Sequence, residues 1–309
     1  MSTGIHGATR RRKPVLEKSR AVRVGRFHTR LIECGGAGPT VLLLHGFSDS
    51  ADSWRAVMTE LTAANHRAVA YDLPHFGRAE RVEPADGYIP MLDEFVAAAV
   101  HECDRGEGVV LVGNSVGALL ALRAAASSAL PIRAAVAIGP VGVRPVLWHT
   151  AARRAGPLLR PLIRPTMPVI LQGTVTGPRM ITEGFALAVA SGRLTADAKA
   201  EYGSHWGPGD LRRQLMMGGR MLDELAASDL IPWSALQVPT TLVWGRQDWV
   251  APAPRHRRLP AGATDHIAIR MLPNTGHCPQ YDHPREIFEL IASTCDELQP
   301  AVAPEEKQA

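Results

Sequence analysis

Three side chains in this sequence have the chemistry and the settings for nucleophilic catalysis. Ser115 stands in Gly113-Asn114-Ser115-Val116-Gly117, directly after the β-branched run Val109-Val110-Leu111-Val112. A strand that turns into a helix through Gly-x-Ser-x-Gly lifts its serine to the apex of a strained turn, with the hydroxyl clear of the sheet. Gly113 and Gly117 keep side chains out of the place where the two backbones nearly touch. The Val116 N–H, at the helix start, points at whatever is bound to the serine. A serine hydroxyl is a weak nucleophile until a base takes its proton, and that base needs an acid partner to hold its tautomer. Asp248, in Gly245-Arg246-Gln247-Asp248, and His277, in Asn274-Thr275-Gly276-His277, each follow an apolar run of strand character. They supply the acid and the base. A purely structural turn and a phosphate-binding loop are the competing readings of the serine. Against the second, no GxGxxG or GxxxxGK[ST] pattern is present.

These three residues need a scaffold that brings strand ends together. Short apolar runs at 40–45, 67–72, 109–114, 133–139, 240–245 and 265–271 read as strands, and their near-continuous hydrophobicity fits a parallel sheet buried on both faces. Helical patterns occupy 51–64, 91–103, 116–128 and 284–298, and 23–34 reads as an antiparallel edge hairpin. Alternating strand and helix predict an α/β fold, a doubly wound and mostly parallel sheet with right-handed crossovers. Ser115, Asp248 and His277 then all lie at the carboxyl edge, where such sheets bind ligands. One interval breaks the rhythm. Residues 140–239 separate two neighbouring strands, whereas a crossover needs only about a dozen residues. The expected organisation is a basic tail at 1–20, a core at 21–140 and 236–299, an inserted, mainly α-helical cap at 141–235, and a second tail at 300–309.

Composition bounds the function further. The chain has 309 residues, 46% hydrophobic and 21% charged, which is ordinary for a globular protein with a large core. Lys and Arg total 34 against 30 Asp and Glu, a slight excess spread along the chain, and no zinc-finger spacing or basic stripe is present, so nucleic acid is not an expected partner. The four cysteines, Cys34, Cys103, Cys278 and Cys295, are far apart and form no CxxC pair, which fits a reducing, cytoplasmic setting. No apolar stretch approaches the roughly 20 residues that span a bilayer, and Arg10-Arg11-Arg12-Lys13 is not followed by the apolar core of a signal peptide. Neither a metal nor an organic cofactor is expected.

With His45-Gly46-Phe47, Asp72-Leu73-Pro74-His75-Phe76-Gly77, the Ser115 pentapeptide, Gly245-Arg246-Gln247-Asp248 and Gly276-His277 in this order, the chain resembles the capped branch of the α/β-hydrolase superfamily from about residue 23 to 298. The resemblance implies Ser115 as nucleophile, His277 as general base and then acid, Asp248 as its orienting partner, and the backbone N–H groups of Phe47 and Val116 as the oxyanion hole, with Gly113, Asn114 and Gly117 shaping the nucleophile elbow. It also implies that His45 shapes the oxyanion loop, that the Asp72 turn is structural, and that Cys278 is a packing residue.

Epoxide hydrolases and haloalkane dehalogenases of this superfamily carry aspartate at the elbow. Serine implies an acyl-enzyme, and so hydrolysis of a carboxylic ester or thioester of a small to medium apolar acyl substrate. Carbon–carbon hydrolases of the meta-cleavage-product type are an alternative, since they share the Gly-Asn-Ser elbow and helical cap. Many of those, however, have tryptophan where this chain has Cys278, together with a cap arginine for which Arg144, Arg153, Arg154, Arg160 and Arg164 are candidates. Peroxide-forming relatives share the triad, and a hydrolase-fold small-molecule receptor is a further, non-enzymatic alternative. Residues 140–181 hold six arginines and no acidic residue. They read as a lid with a solvated basic face, or as a roof whose arginines meet an anionic group or a lipid surface peripherally. Trp148, Met167, Phe185 and Trp206 are expected in the cap core, and the protein is expected to be a monomer or homodimer.

Overall fold

Eight strands form one sheet in the order β1-β2-β4-β3-β5-β6-β7-β8. This computed structural model describes residues 19–143, 178–188, 194–207, 210–226, 230–254, 259, 262–263 and 265–298. β1 (Arg20–Val24) and β2 (Phe27–Cys34) make the antiparallel edge, and β2 also pairs antiparallel with β4 (His66–Tyr71). From β4 onward every pairing is parallel, through β3 (Ala37–Leu44), β5 (Val109–Asn114), β6 (Ile132–Ile138), β7 (Thr240–Gly245) and β8 (Ile267–Leu272). The parallel strands carry the runs read as strands from sequence, with ends shifted by a few residues.

Period-two alternation divides the core into two layers. Leu42 and Leu44 of β3 face one side, where α2 (Tyr88–Cys103) and α3 (Val116–Ala125) cover the sheet. Val41 and Leu43 face the other, under Trp54, Val57, Met58 and Leu61 and under Ile287 and Ile291. These come from the 3-10 turn Ala51–Trp54, α1 (Arg55–Ala63) and α7 (Pro284–Glu297). Helices on both faces make the sheet doubly wound. The helix expected at 51–64 is thus a 3-10 turn followed by an α-helix, and the one expected at 116–128 ends at Ala125.

Within 141–235 the described residues include α4 (Pro178–Ala188), α5 (Ala196–Ser204) and α6 (Asp210–Leu225). Phe185 stacks on Tyr202 with ring centroids 4.1 Å apart, and Trp206 and Tyr281 complete a small apolar cluster with Cys278. Trp148, Met167 and the arginines at 144, 153, 154, 160 and 164 lie outside the described residues, as does the side chain of Arg179. α6 is tied to the core by Glu224, whose carboxylate accepts hydrogen bonds from the Tyr88 and Ile89 amides at 2.8 and 2.7 Å. α2 has no side-chain cap of its own after Gly87, so Glu224 satisfies its orphan donors and meets the positive end of its dipole. α2 therefore begins at Tyr88, three residues before its expected start, with Pro90 tolerated in its first turn.

Candidate active site

The carboxyl ends of β3, β5, β6, β7 and β8 deliver the loops that build the site. Ser115 follows β5 with φ +57° and ψ −112°, a left-handed conformation that a non-glycine residue adopts only when its surroundings impose it. Small neighbours make the turn fit. A Cβ on Gly113 would stand 2.1 Å from the Gly117 carbonyl oxygen, so strand and helix touch as expected. A Cβ on Gly117 would meet the Leu44 carbonyl of β3 at 2.3 Å, so the helix start also presses on the neighbouring strand. Gly46 abuts the elbow, since a Cβ there would lie 3.2 Å from both Asn114 Oδ1 and Ser115 Cβ. This brings the Gly46-Phe47 loop alongside the serine. Ser115 itself is 7% exposed, because residues of α4 and α6 cover the elbow.

Asp248 and His277 come together at the same edge. Nδ1 of His277 donates to Asp248 Oδ2 at 2.8 Å, and Asp248 Oδ1 accepts from the Val250 and Ala251 amides at 2.9 Å each. Both side chains are buried, so the pair is held in one orientation and one tautomer. Asn114 links the Ser115 turn to the His277 loop. Its Nδ2 donates to the His277 carbonyl at 2.8 Å and to the Ile138 carbonyl at 3.2 Å, while Oδ1 accepts from Gln280 Nε2 and the Cys278 thiol. Ser115 and His277 line one cavity, yet no hydrogen bond joins them among the described residues. Of the two contacts in a serine–histidine–aspartate relay, the aspartate–histidine one is closed here. Serine–base bonds are often long in unliganded sites and tighten around a substrate.

The cavity measures about 280 Å³. Its floor is Gly46, Phe47, Ser115, Val116 and His277, and its roof is Phe185 of α4 with Met221, Leu222 and Leu225 of α6. Among the described lining residues none is Lys or Arg. The Val116 amide opens α3, where no preceding helical carbonyl exists to receive it, so the donor is available to a bound oxygen.

His45 is fully buried, and burial pushes its pKa down to about 4. The neutral ring donates from Nδ1 to the Gly46 carbonyl at 2.8 Å and accepts the Leu73 amide on Nε2 at 2.9 Å. It bolts the Gly46-Phe47 loop to the β4 loop. Asp72 is likewise structural: Arg30, the Ala51 amide and the Arg78 amide hold its carboxylate. Cys278 is buried and burial raises its thiol pKa well above the usual value, which keeps it protonated and unreactive.

Three features left little sign in the sequence. Gly139 follows β6 at φ +53°, and a Cβ there would lie 3.0 Å from both Asp248 Oδ2 and His277 Nδ1. Its only signal is a glycine at a strand end. Asp49, between two serines, resembles a turn residue but lines the cavity. His205, after α5, bonds Asp52 Oδ2 through Nε2 at 2.8 Å and so clamps the end of α5 to the 3-10 turn before α1. Ligand atoms of Asp52, His205 and Glu201 lie within 4.8 Å of one another, but Arg30 and Arg55 already neutralise Asp52, which makes the cluster an ion-pair latch and a poor cation site.

The sequence matches the family model described as the alpha/beta hydrolase family across residues 41–290. It is 26% identical over 290 residues to an epoxide hydrolase of Caballeronia sordidicola, covering 83% of this chain and 87% of that one. It is also 26% identical over 268 residues to a pimeloyl-[acyl-carrier protein] methyl ester esterase of Aeromonas salmonicida, covering 84% and 96%. A solved meta-cleavage product hydrolase of Pseudomonas fluorescens shares the fold, with a TM-score of 0.70 at 20% identity over 91% of this chain and 98% of that one. No helix among the described residues is long and apolar enough to cross a membrane.

Proposed function

Because the chain belongs to the alpha/beta hydrolase family, we propose that it is a serine hydrolase that cleaves a carboxylic ester or thioester of a small to medium apolar acyl group. The observation that carries this reading is the 2.8 Å Asp248–His277 bond in the wall of the cavity that Ser115 also lines. Ser115 Oγ attacks the acyl carbon as His277 Nε2 takes its proton, and Asp248 stabilises the imidazolium. The tetrahedral oxyanion is held by the Phe47 and Val116 N–H groups, each lowering the barrier by roughly 3 kcal/mol. His277 then returns the proton to the leaving alcohol or thiol. Water, activated by the same imidazole, releases the acid and regenerates the hydroxyl. The apolar lining supports acyl groups without charge, and the cavity lies near the lower end of ligand-pocket sizes.

The name of the epoxide hydrolase relative does not carry over, since Ser115 stands where those enzymes use aspartate. Carbon–carbon cleavage is supported by the Gly113-Asn114-Ser115 elbow and the expected helical cap. Cys278 in place of tryptophan weighs against it. Short p-nitrophenyl esters test the proposal. Steady turnover is the expected result, whereas a single burst without release would favour a receptor, and turnover of a ring-opened dienoic acid with no esterase activity would favour carbon–carbon cleavage.

A further inference from the structure

α6 turns one stripe toward the chamber of Ser115 and His277, and Met221, Leu222 and Leu225 on that stripe carry large side chains. Gly218, one turn before Leu222, lines the same chamber and carries none. Its φ is not positive, so the backbone does not require glycine, and glycine inside a helix is less favourable than alanine. The reason for it lies across the chamber. A Cβ on Gly218 would stand 3.0 Å from Phe47 Cζ and 3.6 and 3.7 Å from the two Cε atoms of the same ring. The Phe47 ring therefore reaches from the floor to the roof and rests its edge on the backbone of α6. Gly219, the next residue, is exposed, and no atom among the described residues lies within 4 Å of its would-be Cβ, so the fit is particular to position 218.

Both sides of this contact are held. On the floor, Phe76 backs the Phe47 ring edge-to-face with centroids 5.4 Å apart, and His45 backs Phe76 in the same way at 5.6 Å. In the roof, α6 is tied on either side of Gly218. One turn before it, Gln214 Oε1 accepts from the Ser48 hydroxyl at 3.2 Å and Nε2 donates to the His75 carbonyl at 3.3 Å. Six residues after it, the Glu224 carboxylate holds the Tyr88 and Ile89 amides at 2.8 and 2.7 Å. With ring and helix both anchored, a side chain at position 218 takes its room from the chamber, which measures only about 280 Å³. We infer that Gly218 is a specificity-determining residue, whose missing side chain leaves the width that a medium-length acyl chain needs beside Phe47. The inference rests on the reading of this cavity as the ester site and narrows the substrate to esters of medium-length apolar acids.

The test compares p-nitrophenyl acetate, butyrate and hexanoate on wild type, Gly218→Ala, Gly218→Val and Gly219→Ala. Wild type should favour hexanoate over acetate in kcat/KM by about tenfold or more, since each methylene buried adds affinity. A methylene-sized change in an apolar pocket is worth about 10- to 200-fold, so Gly218→Ala should lower the hexanoate-to-acetate ratio by about tenfold or more, chiefly through KM, and Gly218→Val should lower it further. Gly219→Ala adds the same methyl to the same helix in open space and should keep the wild-type ratio. An unchanged ratio in the Gly218 variants, an equal loss of kcat for every chain length, or the same fall in Gly219→Ala overturns the inference. If the Gly218 variants do not fold, Phe47→Leu, which removes Cζ and widens the same contact, should raise the ratio several-fold, and no rise overturns the inference. Calorimetric binding of the corresponding methyl esters to Ser115→Ala protein, with and without Gly218→Ala, reads the same preference without turnover. A chain-length preference in binding that depends on Gly218, with no hydrolysis of any ester by the wild type, would overturn the proposed function and leave this inference standing. Hydrolysis without such a preference would do the reverse.

Discussion

Replacing Gly139 with alanine separates the geometry of the Asp248–His277 pair from the stability of the fold. Gly139 has φ +53°, so alanine there meets a left-handed penalty of about 1–2 kcal/mol. At about 2–4 °C per kcal/mol for a chain of this size class, the melting temperature should fall by roughly 2–8 °C. The second effect is local. The new methyl would stand 3.0 Å from Asp248 Oδ2, 3.0 Å from His277 Nδ1 and 3.1 Å from His277 Cε1, so the bonded pair must shift by several tenths of an ångström. Misplacing a reacting group by 1 Å costs about 100-fold, and this smaller shift should lower kcat/KM by roughly 10- to 100-fold. Gly106→Ala is the matched control. It too has a positive φ, +90°, but no atom lies within 4 Å of its would-be Cβ. It should lose stability and keep its rate. Thermal melts by circular dichroism, paired with turnover of a short p-nitrophenyl ester at 25 °C, read both effects. A folded Gly139→Ala enzyme within about twofold of wild type, or an equal loss of rate in Gly106→Ala, would refute the reasoning.

Asp248→Asn should retain the Val250 and Ala251 bonds through Oδ1 but offer an amide N–H to His277 Nδ1, favouring the wrong tautomer; kcat should drop by about 10⁴-fold with an unchanged circular dichroism spectrum. Asn114→Leu should strand the buried His277 carbonyl and the Gln280 amide, while the Ile138 carbonyl keeps its bond from the Ser115 amide, lowering stability by about 2 kcal/mol or more in urea titrations. A pH series tests the two buried titrating groups. The folded pKa of His45 lies below its unfolded value, so its contribution is full above about 6.5 and is lost as pH falls through about 4. The folded pKa of Asp49 lies above its unfolded value, so its contribution is present below about 4 and is lost as pH rises through about 7. These windows overlap with opposite sign, and Asp49→Asn should unmask the His45 slope. Its unfolding free energy from urea titrations should fall from pH 7.5 to pH 4.5 more steeply than that of wild type, by the order of 2–3 kcal/mol.

The sheet was legible because its strands are buried on both faces, and such strands write themselves as continuous apolar runs such as Val109-Val110-Leu111-Val112. The serine, aspartate and histidine were legible because each lies within a few residues of a strand end, so local spacing suffices to put them on one edge. Long-range partners left no such trace. The start of α2 depends on Glu224, more than a hundred residues away, and a proline at position 90 argues locally for a later start. Gly139 gains its role from what surrounds it in space, the Asp248–His277 bond. A covering segment was expected from the long 140–239 interval, but which residues lie over the elbow was not legible: Phe185 and Met221 cover it from segments with no motif.

The central claim is that Ser115 is the nucleophile, and covalent labelling tests it most directly. Wild-type protein is treated with a fluorophosphonate, digested, and mapped by mass spectrometry, alongside Ser115→Ala. The expected result is one adduct, on Ser115, with labelling and ester turnover both absent from the variant and its fold retained. An adduct on another residue, or Ser115→Ala activity within about tenfold of wild type, would contradict it.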